Sequence, residues 1–169
     1  MELREIDKES YQKKQRKVAI IFCSIFAVFA LSISALLRNY YGNPEGENMA
    51  VNMAGVLIGL LITILIYSQV YTKPFFDDLR YSWNLKRTAL KIQNHRHKWE
   101  DLLQSGNQTA ATVLAFYHKA TLQIQMLEKN EFGYNETVDR ENKFLTECEK
   151  QGLSADANKF SIDMLEELN

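Results

Sequence analysis

The sequence predicts an all-α protein: a two-helix transmembrane hairpin followed by a cytoplasmic helical domain of about four helices. Three observations carry this. Residues 18–37 and 49–71 are uncharged apolar runs, each long enough to cross a bilayer, which takes about 20 residues at about 1.5 Å each. Only eleven residues, 38–48, separate the two runs. The polar remainder, residues 72–169, repeats apolar side chains at helical spacing and shows no competing strand alternation.

The first run holds 17 apolar residues of 20, interrupted by Ser24, Ser32 and Ser34. A cleaved signal peptide has a shorter core, and this run follows a head containing Glu2, Glu5, Asp7 and Glu9. An uncleaved span is expected. In the second run the polar side chains are Asn52, Thr63, Ser68 and Gln69, alongside Gly55 and Gly59. The mean hydropathy of −0.28 therefore averages two unlike parts. Between the runs, Gly42-Asn43-Pro44-Glu45-Gly46 is a strong turn signal.

Basic residues set the expected orientation. Lys13, Lys14, Arg16 and Lys17 precede the first run, and Lys73, Arg80, Lys86 and Arg87 follow the second. The loop has Arg38 alone, so both termini are expected on the cytoplasmic side. The domain reading follows: a cytoplasmic segment 1–17, spans 18–37 and 49–71, a periplasmic loop 38–48 and a cytoplasmic helical domain 72–169. Tyr40 and Tyr41 sit where an outer aromatic belt belongs. Tyr67, Tyr71, Phe75 and Phe76 fall at the inner one, with Trp83 beyond them.

In the body, Pro74 is expected to end one helix and open the next, with Asp77 and Asp78 in a favourable first turn. Residues 75–104 lack glycine and proline and read as one long amphipathic helix. Its apolar residues form two seams, Phe76, Leu79 and Trp83, then Leu85, Ala89, Ile92, Trp99 and Leu103. Gly106 supplies a stop and Asn107 a cap for a second helix built on Val113, Phe116, Tyr117, Ala120, Ile124 and Leu127. Phe132-Gly133-Tyr134-Asn135 turns the chain into a third helix that ends near Gly152. Ser154 is then expected to cap a short fourth helix with Ala157, Phe160, Met164, Leu165 and Leu168 inward.

Chemistry is sparse. His95 and His97 point to different helix faces, and His118 has no nearby Cys or carboxylate at ligand spacing. Cys23 lies in a span and Cys148 on an apolar seam, so no disulfide is expected. There is no phosphate-binding glycine loop, no CxxC and no GxSxG. No metal, no cofactor and no enzymatic activity are expected. Neither span holds an ionisable residue of the kind that marks a proton or ion path. The acidic balance of residues 105–169, eleven acidic to six basic groups, argues against nucleic acid as a partner.

Gly55, Gly59 and Thr63 recur every four residues, and Ala30 and Ser34 offer a matching stripe on the first span. Such stripes let helices approach closely. Here they are expected to pack the hairpin against itself, with a homodimer seam as the alternative. The basic stretch after the second run suits contact with anionic headgroups. The acidic stretch 128–149, with Glu136, Asp139 and Glu141, is the candidate contact face for a protein partner, against the plainer reading of a solvated surface.

Lys73-Pro74-Phe75-Phe76-Asp77, then Tyr81-Ser82-Trp83-Asn84-Leu85-Lys86 and the later Phe116-Tyr117, together with the two-span layout, carry a resemblance. The chain resembles a family of uncharacterised bacterial two-span membrane proteins, the domain of unknown function numbered 3087. The resemblance implies the inner membrane of a Gram-negative bacterium and brings no activity, cofactor or catalytic residue. The expected function is a non-enzymatic, membrane-tethered interaction protein that contacts the lipid bilayer and another membrane or cytoplasmic protein. The alternative is an oligomeric channel or permeability factor built from the two spans.

Overall fold

The computed structural model describes residues 1–44, 46–130 and 133–168. Glu45 of the expected hairpin turn, Glu131 of the acidic stretch, Phe132 of the later turn and the terminal Asn169 lie outside the described residues. Among the described residues all regular structure is helical, and the chain has the predicted all-α class. Two long apolar helices come first: α1 (Lys8–Tyr41) and α2 (Met49–Val70). Four more follow: α3 (Asp77–Asn94), α4 (Arg96–Gln104), α5 (Gln108–Glu128) and α6 (Tyr134–Gln151). The chain forms two compact units, Lys13–Asp77 and Met1–Gln12 with Asp78–Asn169.

Helix α1 begins ten residues ahead of the apolar run, so its first residues belong to the unit that holds Met1–Gln12. Asp7 explains the early start, because its carboxylate accepts the Ser10 N–H at 2.6 Å and satisfies a donor of the first turn. The link to α2 is stapled by Asn48. Its side-chain carbonyl accepts the Asn43 N–H at 2.8 Å, and its amide donates to the carbonyls of Asn43 and Gly46. After α2, a 3-10 turn at Pro74–Phe76 has proline at its start, where a missing N–H costs nothing. Asp77 then opens α3, as Pro74 and the paired aspartates predict.

The second unit is built around α5. Every residue from Ala110 to Tyr117 is buried, the pattern of a helix enclosed on all sides. It packs against α4, α6 and the C-terminal turns. From α3, Tyr81 donates to Gln123 at 3.0 Å, and Lys86 pairs with Glu128. Asn107 caps α5 by accepting the Ala110 N–H at 2.9 Å. Gly152 ends α6 at φ +66°, where Leu153 N–H reaches back to the Cys148 carbonyl at 2.9 Å. Both follow the sequence reading.

Two elements differ from expectation. The long helix over 75–104 is broken at His95, between α3 and α4. No glycine or proline forces the break. Leu85 and Ile92 before the break and Trp99 and Leu103 after it belong to one buried cluster. Ser154 does not cap a helix. Its backbone pairs instead with the Gln108 side chain, accepting from Nε2 at 2.7 Å and donating to Oε1 at 3.0 Å. The chain then runs as 3-10 turns at Ala157–Lys159 and Ile162–Leu168. Phe160 still points inward and stacks on Phe116, with ring centroids 4.0 Å apart.

Candidate functional site

Gly55, Gly59 and Thr63 are the buried residues of α2, and both glycines face α1. A Cβ on Gly55 would collide with Ser34, side chain and backbone alike. One on Gly59 would stand 2.7 Å from the Ala30 nitrogen and 2.8 Å from its Cα. The backbones meet because neither glycine has a side chain to hold them apart. Ser34 Oγ donates to the Asn52 carbonyl at 3.1 Å, and Thr63 Oγ1 donates to the Gly59 carbonyl at 2.8 Å, so both hydroxyls are satisfied within the hairpin. The structure thus brings together Ala30, Ser34, Gly55 and Gly59 inside a single chain, with Thr63 buried one turn beyond Gly59. The surfaces turned away from this seam are apolar and bare, with Leu31 72% and Leu61 60% exposed. Both helices are long and apolar enough to cross a membrane.

Aromatic residues gather at one end of this unit. Tyr67 meets Phe22 edge-on, with centroids 5.0 Å apart, and Phe76 edge-on at 5.9 Å. Tyr71 lies against Tyr67 and Phe76, and Phe75 against Phe76. Tyr40 and Tyr41 are exposed at the end of α1. Trp83 belongs to the other unit and is exposed on α3.

The structure reveals a feature that charge counting missed. The residues ahead of α1 form a strap across the helical body. Met1, Leu3 and Ile6 pack on its core. The Arg4 N–H donates to the Tyr81 hydroxyl at 2.8 Å, and the Arg4 carbonyl accepts from Gln123. The Arg4 guanidinium lies 5.7 Å from the Tyr81 ring centre, a cation–π contact. Farther along, the buried Tyr11 hydroxyl donates to Ser82 at 3.0 Å, and Gln12 donates to the Leu127 carbonyl. Burial pushes the Tyr81 phenol above its ordinary range, with its hydrogen bonds to Arg4 and Gln123 acting the other way. The signal in the sequence was Leu3 and Ile6, apolar residues three apart among charges.

Of the acidic candidates, Glu136 and Asp139 are three apart on α6 and share a side, whereas Glu141 is turned away from both. Asp139 and Glu141, two residues apart on α6, point about 200° apart at about 100° per residue. Glu136 pairs with Arg140 at 3.6 Å, and Glu147 with Lys150 at 3.8 Å. The outer side of α6 is a mixed-charge surface laced by local pairs.

His118 and Cys148 have packing roles. The His118 ring stacks on Phe144, with centroids 5.0 Å apart. Burial, reinforced by the charges of Arg96 and Arg140, lowers its pKa to about 4. Burial and the neighbouring Glu147 push the Cys148 thiol up, away from the reactive thiolate. Among the described residues, no three His, Cys, Asp or Glu side chains cluster to hold a metal. A cleft of about 450 Å³ lies beside the α3–α4 break, and Lys91, His95, Trp99, Asp163 and Glu166 are among the residues that line it.

The His118 shift gives the body a pH dependence. Because its folded pKa lies below the unfolded value of about 6.5, stability is complete above that pH. It falls as pH drops toward 4, since only the unfolded chain takes up the proton. The expected loss between about pH 7 and about pH 4 is on the order of 2 kcal/mol after discounting for partial exposure. Urea titrations of the wild-type chain and His118→Gln at both pH values measure it, and an equal pH effect in the two proteins would refute it.

Residues 1–165 match the model of the family described as "Protein of unknown function (DUF3087)". The chain belongs to this family. The match includes the strap, the hairpin and nearly all of the helical body, so the DUF3087 pattern covers both compact units. No curated protein and no solved structure matches the chain.

Proposed function

We propose that the chain is a non-enzymatic, multi-pass membrane protein whose hairpin tethers a helical surface for another membrane or cytoplasmic protein. One observation carries this reading. The segment ahead of the first apolar helix and the chain beyond the second fold into one unit, Met1–Gln12 with Asp78–Asn169. A chain that crosses a bilayer twice returns both ends to the same side, as this pairing demands. The exposed apolar flanks of α1 and α2 suit lipid tails and would be costly in water. Lys13, Lys14, Arg16 and Lys17 on one side and Lys73, Arg80, Lys86 and Arg87 on the other favour the cytoplasm for that shared side. The bacterial inner membrane follows from the family resemblance. The packing roles of His118 and Cys148 support binding rather than catalysis.

The experiment is an in-cell crosslink of the full-length chain, mild-detergent extraction and mass spectrometry of what is retained. The expected result is a near-stoichiometric second protein. Recovery of self-crosslinked multimers alone would replace this reading with the oligomeric channel, and ion-flux measurements would follow.

A further inference from the structure

Helix α3 has an outward face that the core does not use. Trp83, Arg87, Leu90 and Asn94 follow one another at i, i+4, i+7 and i+11, so they share one side of the helix. That side lies opposite Leu85 and Ile92, which are wholly buried. Trp83 is 58% exposed and Leu90 55%. Two large apolar side chains held bare on one helix face are unusual on a surface that meets water alone.

Along the chain the charge beside them has one sign, and Lys91 also lines the cleft that Asp163 and Glu166 share. No acidic residue occurs from Leu79 to Trp99, while Arg80, Lys86, Arg87, Lys91, Arg96 and Lys98 all fall there. Lys86 is drawn to Glu128 on α5, whereas Arg87 and Lys91 stand on or beside the exposed stripe. Tryptophan and leucine set among arginine and lysine are the side chains of a helix lying in the headgroup zone. The apolar groups enter the boundary and the cations meet phosphates. Chain length makes the placement reachable. Six residues separate the end of α2 from the start of α3, a reach of about 20 Å at most.

We propose that the outward face of α3 rests on an anionic lipid surface, with Trp83 and Leu90 at the headgroup boundary and Arg87 and Lys91 on the phosphates. This rests on the reading of the hairpin as membrane-spanning. It gives the helical body a second hold on the bilayer, one that responds to lipid charge.

Trp83 is its own reporter, because the other tryptophan, Trp99, is 1% exposed in the core. The full-length Trp99→Phe chain is reconstituted into vesicles of phosphatidylcholine alone, or of phosphatidylcholine with phosphatidylglycerol, carrying brominated acyl chains. Should Trp99→Phe fold poorly, the difference between wild type and Trp83→Phe gives the same signal. The expected result is a blue shift and loss of Trp83 emission in the phosphatidylglycerol vesicles, reversed by high salt and by Arg87→Glu with Lys91→Glu. Insertion of the hairpin is read in the same vesicles by resistance to alkaline carbonate. Resistant protein whose Trp83 emission stays solvent-like overturns the proposal alone, as does quenching indifferent to lipid charge. A Trp83 that stays bare on vesicles but crosslinks to an acidic protein in cells assigns the face to that protein instead. Protein released by carbonate overturns the spanning reading and this proposal together.

Discussion

Gly59→Leu is expected to pry the hairpin apart, at a cost of about 3 kcal/mol or more, the upper end for overpacking a close contact. The reason is what a side chain would meet. A Cβ at Gly59 stands 2.7 Å from one Ala30 backbone atom and 2.8 Å from another, and backbone has no rotamer to yield. The helices must separate, and separation also strains the Ser34 hydroxyl's bond to the Asn52 carbonyl. Leu61→Ala, on the exposed side of the same helix, is expected to change little. Titration of the detergent-solubilised proteins with sodium dodecyl sulfate, followed by circular dichroism, ranks them. The oligomer reading makes a different forecast, in which Gly59→Leu dissolves multimers and leaves the monomer's stability intact.

Tyr81 is the second sensitive position, because one side chain joins strap and body. Tyr81→Phe keeps the ring and the cation–π contact but leaves the Arg4 N–H without its acceptor and Gln123 without its donor. That costs about 1–3 kcal/mol, felt mainly as fraying of the strap. Tyr81→Ala also removes a ring that is 7% exposed, and a cost of about 3–5 kcal/mol is expected, the range for emptying a buried aromatic site. Limited proteolysis reads the first effect as faster cleavage near Arg4 in Tyr81→Phe, and urea unfolding reads the second. Unchanged cleavage in both variants would mean that the strap is held without Tyr81.

The hairpin was legible because its signals are local. Apolar runs of about twenty residues and a small-residue stripe of four-residue period act within one helix or between near neighbours, and the two helices and the close glycine contacts lie where the sequence put them. The caps at Asn107 and Gly152 were legible for the same reason. The break at His95 was not, since no residue there forbids a helix and the residues on both sides of it enter one core cluster. The turn at Ser154 is set by Gln108, 46 positions away, which no short window contains. The strap was missed because four acidic and six basic residues among the first seventeen outweighed Leu3 and Ile6 in any average. The acidic stretch drew notice by composition, and helical phase then sorts it, keeping Glu136 and Asp139 on one side of α6 and turning Glu141 away.

The central claim is a hairpin crossing the membrane twice, with strap and body on the cytoplasmic side. Single cysteines at Glu5, Glu47 and Lys150 test it most directly, in a full-length chain with Cys23 and Cys148 replaced by serine and alanine. Intact cells are treated with a membrane-impermeant maleimide before and after permeabilisation of the inner membrane. Labelling is expected at Glu47→Cys from outside, and at Glu5→Cys and Lys150→Cys only after permeabilisation. Labelling of either terminal position from outside, or protection of Glu47→Cys, would contradict it.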